Sequence, residues 1–148
     1  MQIERASGPL PFSREQIFDL VADVERYPEF LHWWLAARIT GRDADRLVVD
    51  QSLGFGPVRL DFKSAARLQR PERLEVSSTD PMFRQFHLTF FVDSKEPGGC
   101  ILRIRAELEM RSMLRQFAVR EFFGTSVEHI IAAFEARARQ VYVPAPQA

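Results

Sequence analysis

From Cys100 to Arg111 the chain alternates almost without error. Cys100, Leu102, Ile104, Ala106, Leu108 and Met110 fall on one side of an extended strand, and Arg103, Arg105, Glu107, Glu109 and Arg111 on the other. The same period of two turns Phe86, Leu88, Phe90 and Val92 inward over 84–94, and Val58, Leu60, Phe62 and Leu68 inward over 58–68. Between about residue 35 and residue 111 the strands are separated by turn sequences: GRDAD (41–45), GFGP (54–57), RPE (70–72) and PGG (97–99). Long antiparallel strands with one wet face account for this pattern.

The two ends of the chain read differently. Residues 2–9 form a short strand stopped by GPLP. Ser13 with Gln16 three residues on reads as a capping box, and the helix it opens turns Ile17, Phe18, Leu20 and Val21 inward. Tyr27-Pro28 interrupts that helix, because the residue before a proline avoids helical dihedrals. A short helical turn over residues 28–31 leads into Trp33 and Trp34. From Met113 to Val141 the spacing changes to three and four, with Val119, Phe122, Phe123, Val127, Ile130, Ile131, Phe134, Ala138 and Val141 in one stripe. Gly124 sits inside that stripe at a cost of about 1 kcal/mol relative to alanine.

The predicted order is strand, two short helical pieces, six strands and one long helix, an α+β chain with a curved seven-stranded antiparallel sheet. A long amphipathic helix that follows such a sheet lays its stripe on the sheet's apolar face, since nothing else covers either surface. A bent sheet gripping one helix need not close fully, and the gap is a mostly apolar pocket. Leu53, Phe62, Phe86, Leu88 and Phe90 are its expected sheet wall. Phe117, Phe122, Val127 and Ile131 are its expected helix wall. The domain is expected to span residues 1–142, with 143–148 as a flexible tail.

Charge and composition narrow the function. Twenty Lys and Arg balance twenty Asp and Glu, so there is no global positive field for DNA binding by counterion release. Cys100 is the one cysteine, which leaves no intrachain disulfide, and His32, His87 and His129 lie in separate segments without metal-ligand spacing. The N-terminus lacks the apolar core of a signal peptide, and no run approaches the ~20 apolar residues that span a bilayer. A soluble, cytoplasmic chain with no required metal or cofactor is expected.

The stretch LVADVERYPEFLHWW (20–34) resembles the signature of the coenzyme Q-binding START family, which belongs with START-like lipid-binding domains, polyketide cyclases and plant pathogenesis-related (Bet v 1-like) allergens in the helix-grip fold. Val21, Asp23, Val24, Tyr27, Phe30, Leu31 and Trp33 match the family pattern in place. His32 stands where the family has proline, and Trp34 where it has cysteine. TDPMFRQF (79–86) is similar to the family's Asp-Gly-Pro-Phe turn, with the glycine lost and Met82 inserted before Phe83. The resemblance implies non-catalytic binding of ubiquinone, or a related prenyl lipid, in support of respiratory electron transport. It is compatible with peripheral contact at the inner face of the cell membrane. Some bacterial members are RatA-type toxins that interfere with ribosomal subunit association, which makes the ribosome the alternative partner.

Under this reading Trp33 and Trp34 form a rim at the pocket mouth, where an indole meets both oil and water, together with Tyr27, Pro28, Phe30 and Leu31. Met82 and Phe83 extend the rim if their turn lies at the same end of the sheet. The plainer alternative is one core indole and one stray surface ring. Gln51, Ser64 and Ser78 interrupt inward faces. They either mark a bulge that reverses the assignment or offer hydrogen bonds to a ligand head group. A cyclase-like enzyme ranks last, because none of the predicted inward positions is an acid or base.

Overall fold

The alternating segments pair into one antiparallel sheet, and the helical stripe lies against it. A computed structural model describes residues 1–143, with all their side chains except those of residues 122–126. The elements are β1 (Gln2–Ala6), α1 (Arg14–Ala22), a 3-10 helix (Val24–Glu29), β2 (Trp34–Arg42), β3 (Arg46–Phe55), β4 (Val58–Gln69), β5 (Arg73–Ser77), β6 (Phe83–Lys95), β7 (Gly99–Met110) and α2 (Met113–Val141). Their order across the sheet is β1-β7-β6-β5-β4-β3-β2. Each strand from β2 to β7 pairs with the next, and the two short helices carry the chain from β1 at one edge to β2 at the other. This is the helix-grip architecture expected from the sequence.

Local chemistry sets the boundaries. Gly8-Pro9 ends β1 at Ala6 rather than residue 9, and the chain then rejoins β7 through an isolated bridge between Leu10 and Cys100. There the backbones come so close that a Cβ on Gly99 would lie 2.4 Å from the Leu10 carbonyl oxygen, so only glycine fits. Gly56, with φ 60°, opens the two-residue turn between β3 and β4 in the left-handed region. Ser13 and Gln16 form the predicted capping box.

The first helix breaks at Asp23, earlier than Tyr27-Pro28, and the following turn covers Val24–Glu29 with Pro28 inside it. The short 3-10 segment carries Pro28 at the loss of one N–H, and beyond it Phe30 and Leu31 donate to the Tyr27 carbonyl, at 3.1 and 2.8 Å. The Tyr27 hydroxyl donates back to the Val21 carbonyl, which the end of α1 would otherwise leave without a partner.

Helix α2 runs through Gly124 unbroken and begins at Ser112, whose hydroxyl accepts the Arg115 N–H. Its C-terminal half buries Ile130, Phe134 and Ala138 on the sheet. Apart from Gln116, whose Oε1 accepts the Met110 N–H at the end of β7, its first turn does not pack on the sheet. Met113, Leu114 and Phe117 are 88%, 76% and 64% exposed, so Phe117, expected in the pocket wall, stands outside it. Helical period tells which side of α2 faces the sheet but not where the sheet ends, and the first buried turn is Ala118-Val119. Among the described residues, no helix is long and apolar enough to cross a membrane.

Candidate ligand-binding site beneath the long helix

Antiparallel order brings the start of β2, the β3–β4 turn, the β5–β6 loop and the start of α2 to one end of the sheet. The adjacent tryptophans divide there. Trp34, the first residue of β2, points inward and is 6% exposed. A register shift between Trp34 and Ala36 turns Leu35 outward. Trp33, half-buried in the preceding loop, stacks flat on His129 of α2, with centroids 5.7 Å apart and planes at 9°.

Trp34 meets the Tyr27 ring edge-on at 5.4 Å, and its Nε1–H donates to Gln51 Oε1 at 2.8 Å. Gln51 Nε2 donates in turn to Ser64 Oγ at 2.6 Å, and the Ser64 hydroxyl donates to the Val49 carbonyl at 3.5 Å. Gln51 pairs with Phe62, and Ser64 with Val49, so the amide and hydroxyl are diagonal neighbours on adjacent strands. Both are inward polar groups rather than products of a bulge. Ser78 differs: it lies just past β5 and donates to the Lys63 carbonyl.

Two apolar voids flank this relay. The first is lined by Trp33, Trp34, Leu53, Phe55, Leu60, Phe86, Leu88, Leu108 and Ile130, among others. Tyr27, Trp34, Val49, Gln51, Ser64, Val76, Leu88 and Phe90 are among the residues lining the second. Trp34 and Leu88 belong to both and form the partition between them. Each void leaves only about 20 Å³ for the centre of a water molecule, where one water needs at least ~10–15 Å³. An engineered dry cavity that accepts benzene has ~150 Å³, so neither void admits a quinone ring in this conformation. The indole pair is therefore not an open doorway. Trp34 is an internal wall.

The remaining expected residues separate into groups. Tyr27 and Leu31 are core, Phe30 is half-buried beside Phe134 at 5.3 Å, and Pro28 is exposed. Phe83 packs with Phe62 and Phe86, each 4.9 Å away, while Met82 is half-buried and its carbonyl accepts the Arg111 N–H. Val127 and Ile131 are buried on α2. Phe122 lies outside the described residues. Phe55, Leu60, Val76, Leu108 and Ile130 were missing from the expected site; the inward parity of their strands marked Leu60 and Leu108 but could not say which inward residues meet a void.

His87 and Glu107 also border the first void from the outward positions of β6 and β7, but the buried polar side chains of the hollow are neutral. Gln51, Ser52 and Ser64 are the buried polar residues among those described. Burial, reinforced by the nearby Asp23 charge, pushes the Tyr27 phenol far above its ordinary range. Among the described residues no group of three His, Cys, Asp or Glu side chains could hold a metal ion.

Known proteins share this architecture. Over 141 residues the chain is 28% identical to the ribosome association toxin RatA of Vibrio cholerae, covering 95% of this chain and 97% of that one. It is 26% identical to a mitochondrial coenzyme Q-binding protein of Xenopus laevis, covering 92% of this chain and 57% of the longer protein. The crystal structure of the Zhui aromatase/cyclase from Streptomyces sp. R1128 superposes with a TM-score of 0.82 at 11% identity, over 95% and 94% of the two chains, a likeness of fold alone. Residues 10–135 match the model of one family, and the chain belongs to it: polyketide cyclase / dehydrase and lipid transport.

Proposed function

We propose that the protein binds ubiquinone or a related prenyl lipid between the sheet and α2, as a cytoplasmic carrier that performs no chemistry on it. Residues 1–142 act as one ligand-binding unit in this reading. The observation that carries it is the Trp34–Gln51–Ser64 relay in the wall between two apolar voids. Swinging the Trp34 indole aside merges the voids and releases the Gln51 carboxamide at Oε1, so that the side chain can turn and present its Nε2–H to a quinone carbonyl. The relay keeps the Gln51 and Ser64 side chains satisfied while the site is closed, since a buried polar group without a partner costs ~1–3 kcal/mol. The coenzyme Q-binding relative supports the ligand class. The lack of an acid or base among the buried polar residues supports a carrier over a cyclase. A chain of this length has a radius of gyration of about 15 Å, so a long polyprenyl tail coils or protrudes.

The test is native mass spectrometry of protein purified from a ubiquinone-producing host, with quinone absorbance that borohydride abolishes. Trp34→Ala is expected to retain or increase bound quinone, while Gln51→Leu weakens binding about tenfold. Lipid-free spectra from both the wild type and Trp34→Ala would sink the proposal.

A ribosome-directed role is the second reading, favoured by 28% identity to RatA over nearly the full length of both chains. It predicts co-sedimentation with large ribosomal subunits that weakens as salt rises, and growth arrest on overexpression.

A further inference from the structure

The outer face of the sheet holds a concavity far larger than the voids beneath α2. It leaves about 520 Å³ for water centres and crosses β3 to β7. Small side chains make its floor: Ala65, Ser77 and Thr89. Arginines make its ends. Register places Arg46 opposite Arg67, Arg67 opposite Glu75, Glu75 opposite Thr89, and Thr89 opposite Arg105, in one row. Three strand spacings separate Arg67 from Arg105, about 14 Å.

The charges lining the trough are unevenly satisfied. Glu75 is engaged by Arg73 at 3.2 Å, and Glu107 accepts the Gln85 amide at 2.8 Å. Arg46 and Arg67 face each other with no ion pair among the described residues, an arrangement that like charges directly opposite make unfavourable. Arg105 reaches Glu4 through Nη2 at 3.5 Å, but its buried Nε–H has no hydrogen-bond partner. A buried donor without an acceptor and a facing pair of unpaired guanidiniums share one hollow, with the Ser77 and Thr89 hydroxyls and the His87 imidazole between them. Guanidinium forks of this kind suit phosphate oxygens.

We propose that this trough is a binding site for phosphate groups, carried either by a small phosphorylated molecule or by a polynucleotide backbone. It lies on the opposite face of the sheet from the voids and stands whether or not a lipid fills them.

The full chain is titrated at low ionic strength with inorganic pyrophosphate and, separately, with a short fluorescein-labelled oligouridylate. Saturable binding is expected, with amide shifts at Ser77 and Thr89 and a rise in Tm. Arg67→Gln and Arg105→Gln should each weaken binding about tenfold, while Arg120→Gln, on α2, leaves it unchanged. Arg46→Gln is expected to raise the Tm of the free protein slightly by relieving repulsion, and to reduce the rise that pyrophosphate produces. Much tighter, steeply salt-dependent binding of the oligouridylate assigns the phosphates to a nucleic acid; equal affinities assign them to a small molecule. Failure of both probes to bind saturably, or binding that survives the Arg67→Gln, Arg105→Gln double substitution, overturns the proposal. Neither probe enters the hollow under α2, so the result is independent of quinone binding.

Discussion

The two ends of α2 are held in unlike ways. Toward its C-terminus Phe134 is enclosed by the rings of Tyr27, Phe30 and Phe90 at 5.5, 5.3 and 5.9 Å. Arg137 pairs with Glu29 at 2.8 Å and lies over the Phe30 ring. At the N-terminus Met113, Leu114 and Phe117 face solvent, and two side-chain contacts hold the first turn: the Ser112 cap, and Gln116 Oε1 accepting the Met110 N–H at 2.6 Å. The grip is therefore one-sided. Folding energy is concentrated where the 3-10 turn meets the helix, and the exposed side chains Met113, Leu114 and Phe117 at the opposite end contribute little to it.

The sharpest way to break this comparison is a matched pair of truncations. Phe134→Ala should cost about 3–5 kcal/mol in urea denaturation, and Phe117→Ala no more than about 0.5 kcal/mol. Similar losses from the two would refute the one-sided grip. A smaller effect is expected from Cys100, whose Sγ lies 4.0 Å from the Ser13 carbonyl, just ahead of α1. Burial pushes its thiol up to about 11 from an ordinary 9.0. The folded state thus favours the neutral thiol. Its contribution is fully present below pH 9 and disappears as pH rises through 11, worth up to about 2 kcal/mol. Cys100→Ala should flatten that alkaline slope in denaturation curves measured across the window. The smallest change is Arg137→Gln, expected to cost under about 1 kcal/mol because the Glu29 carboxylate is half in solvent. A larger loss would mean that the ion pair, rather than the aromatic cluster, anchors the helix.

The same contrast explains what could be read from the chain beforehand. Met113–Val141 was legible because a stripe at 3.6 spacing needs no partner to be recognised, and β7 because its alternation is nearly perfect. The exposed position of Phe117 was not, since it depends on where the sheet stops beneath the helix. Trp34 looked like a rim residue for a related reason: its inward direction comes from a register shift at the start of β2. Gln51 and Ser64 were singled out together with Ser78, but their direct bond and its link to Trp34 required the pairing of β3 with β4 and with β2. The phosphate trough was hidden altogether, because Arg46, Arg67 and Arg105 come from three strands and meet only when the sheet forms.

Placing the two indoles in different surroundings gives the molecule a built-in pair of optical reporters. Trp34, dry and edge-on to a phenol ring, is expected to emit toward the blue and to respond to whatever enters the interior. Trp33, half-buried and lying flat on an imidazole, is expected to emit nearer the red and to respond both to the first void, which it also lines, and to events on the outside of α2. In a spectrum resolved into these two components, a shift of the blue one reports filling of the hollow, and a shift confined to the red one reports contact at the surface, without any added label.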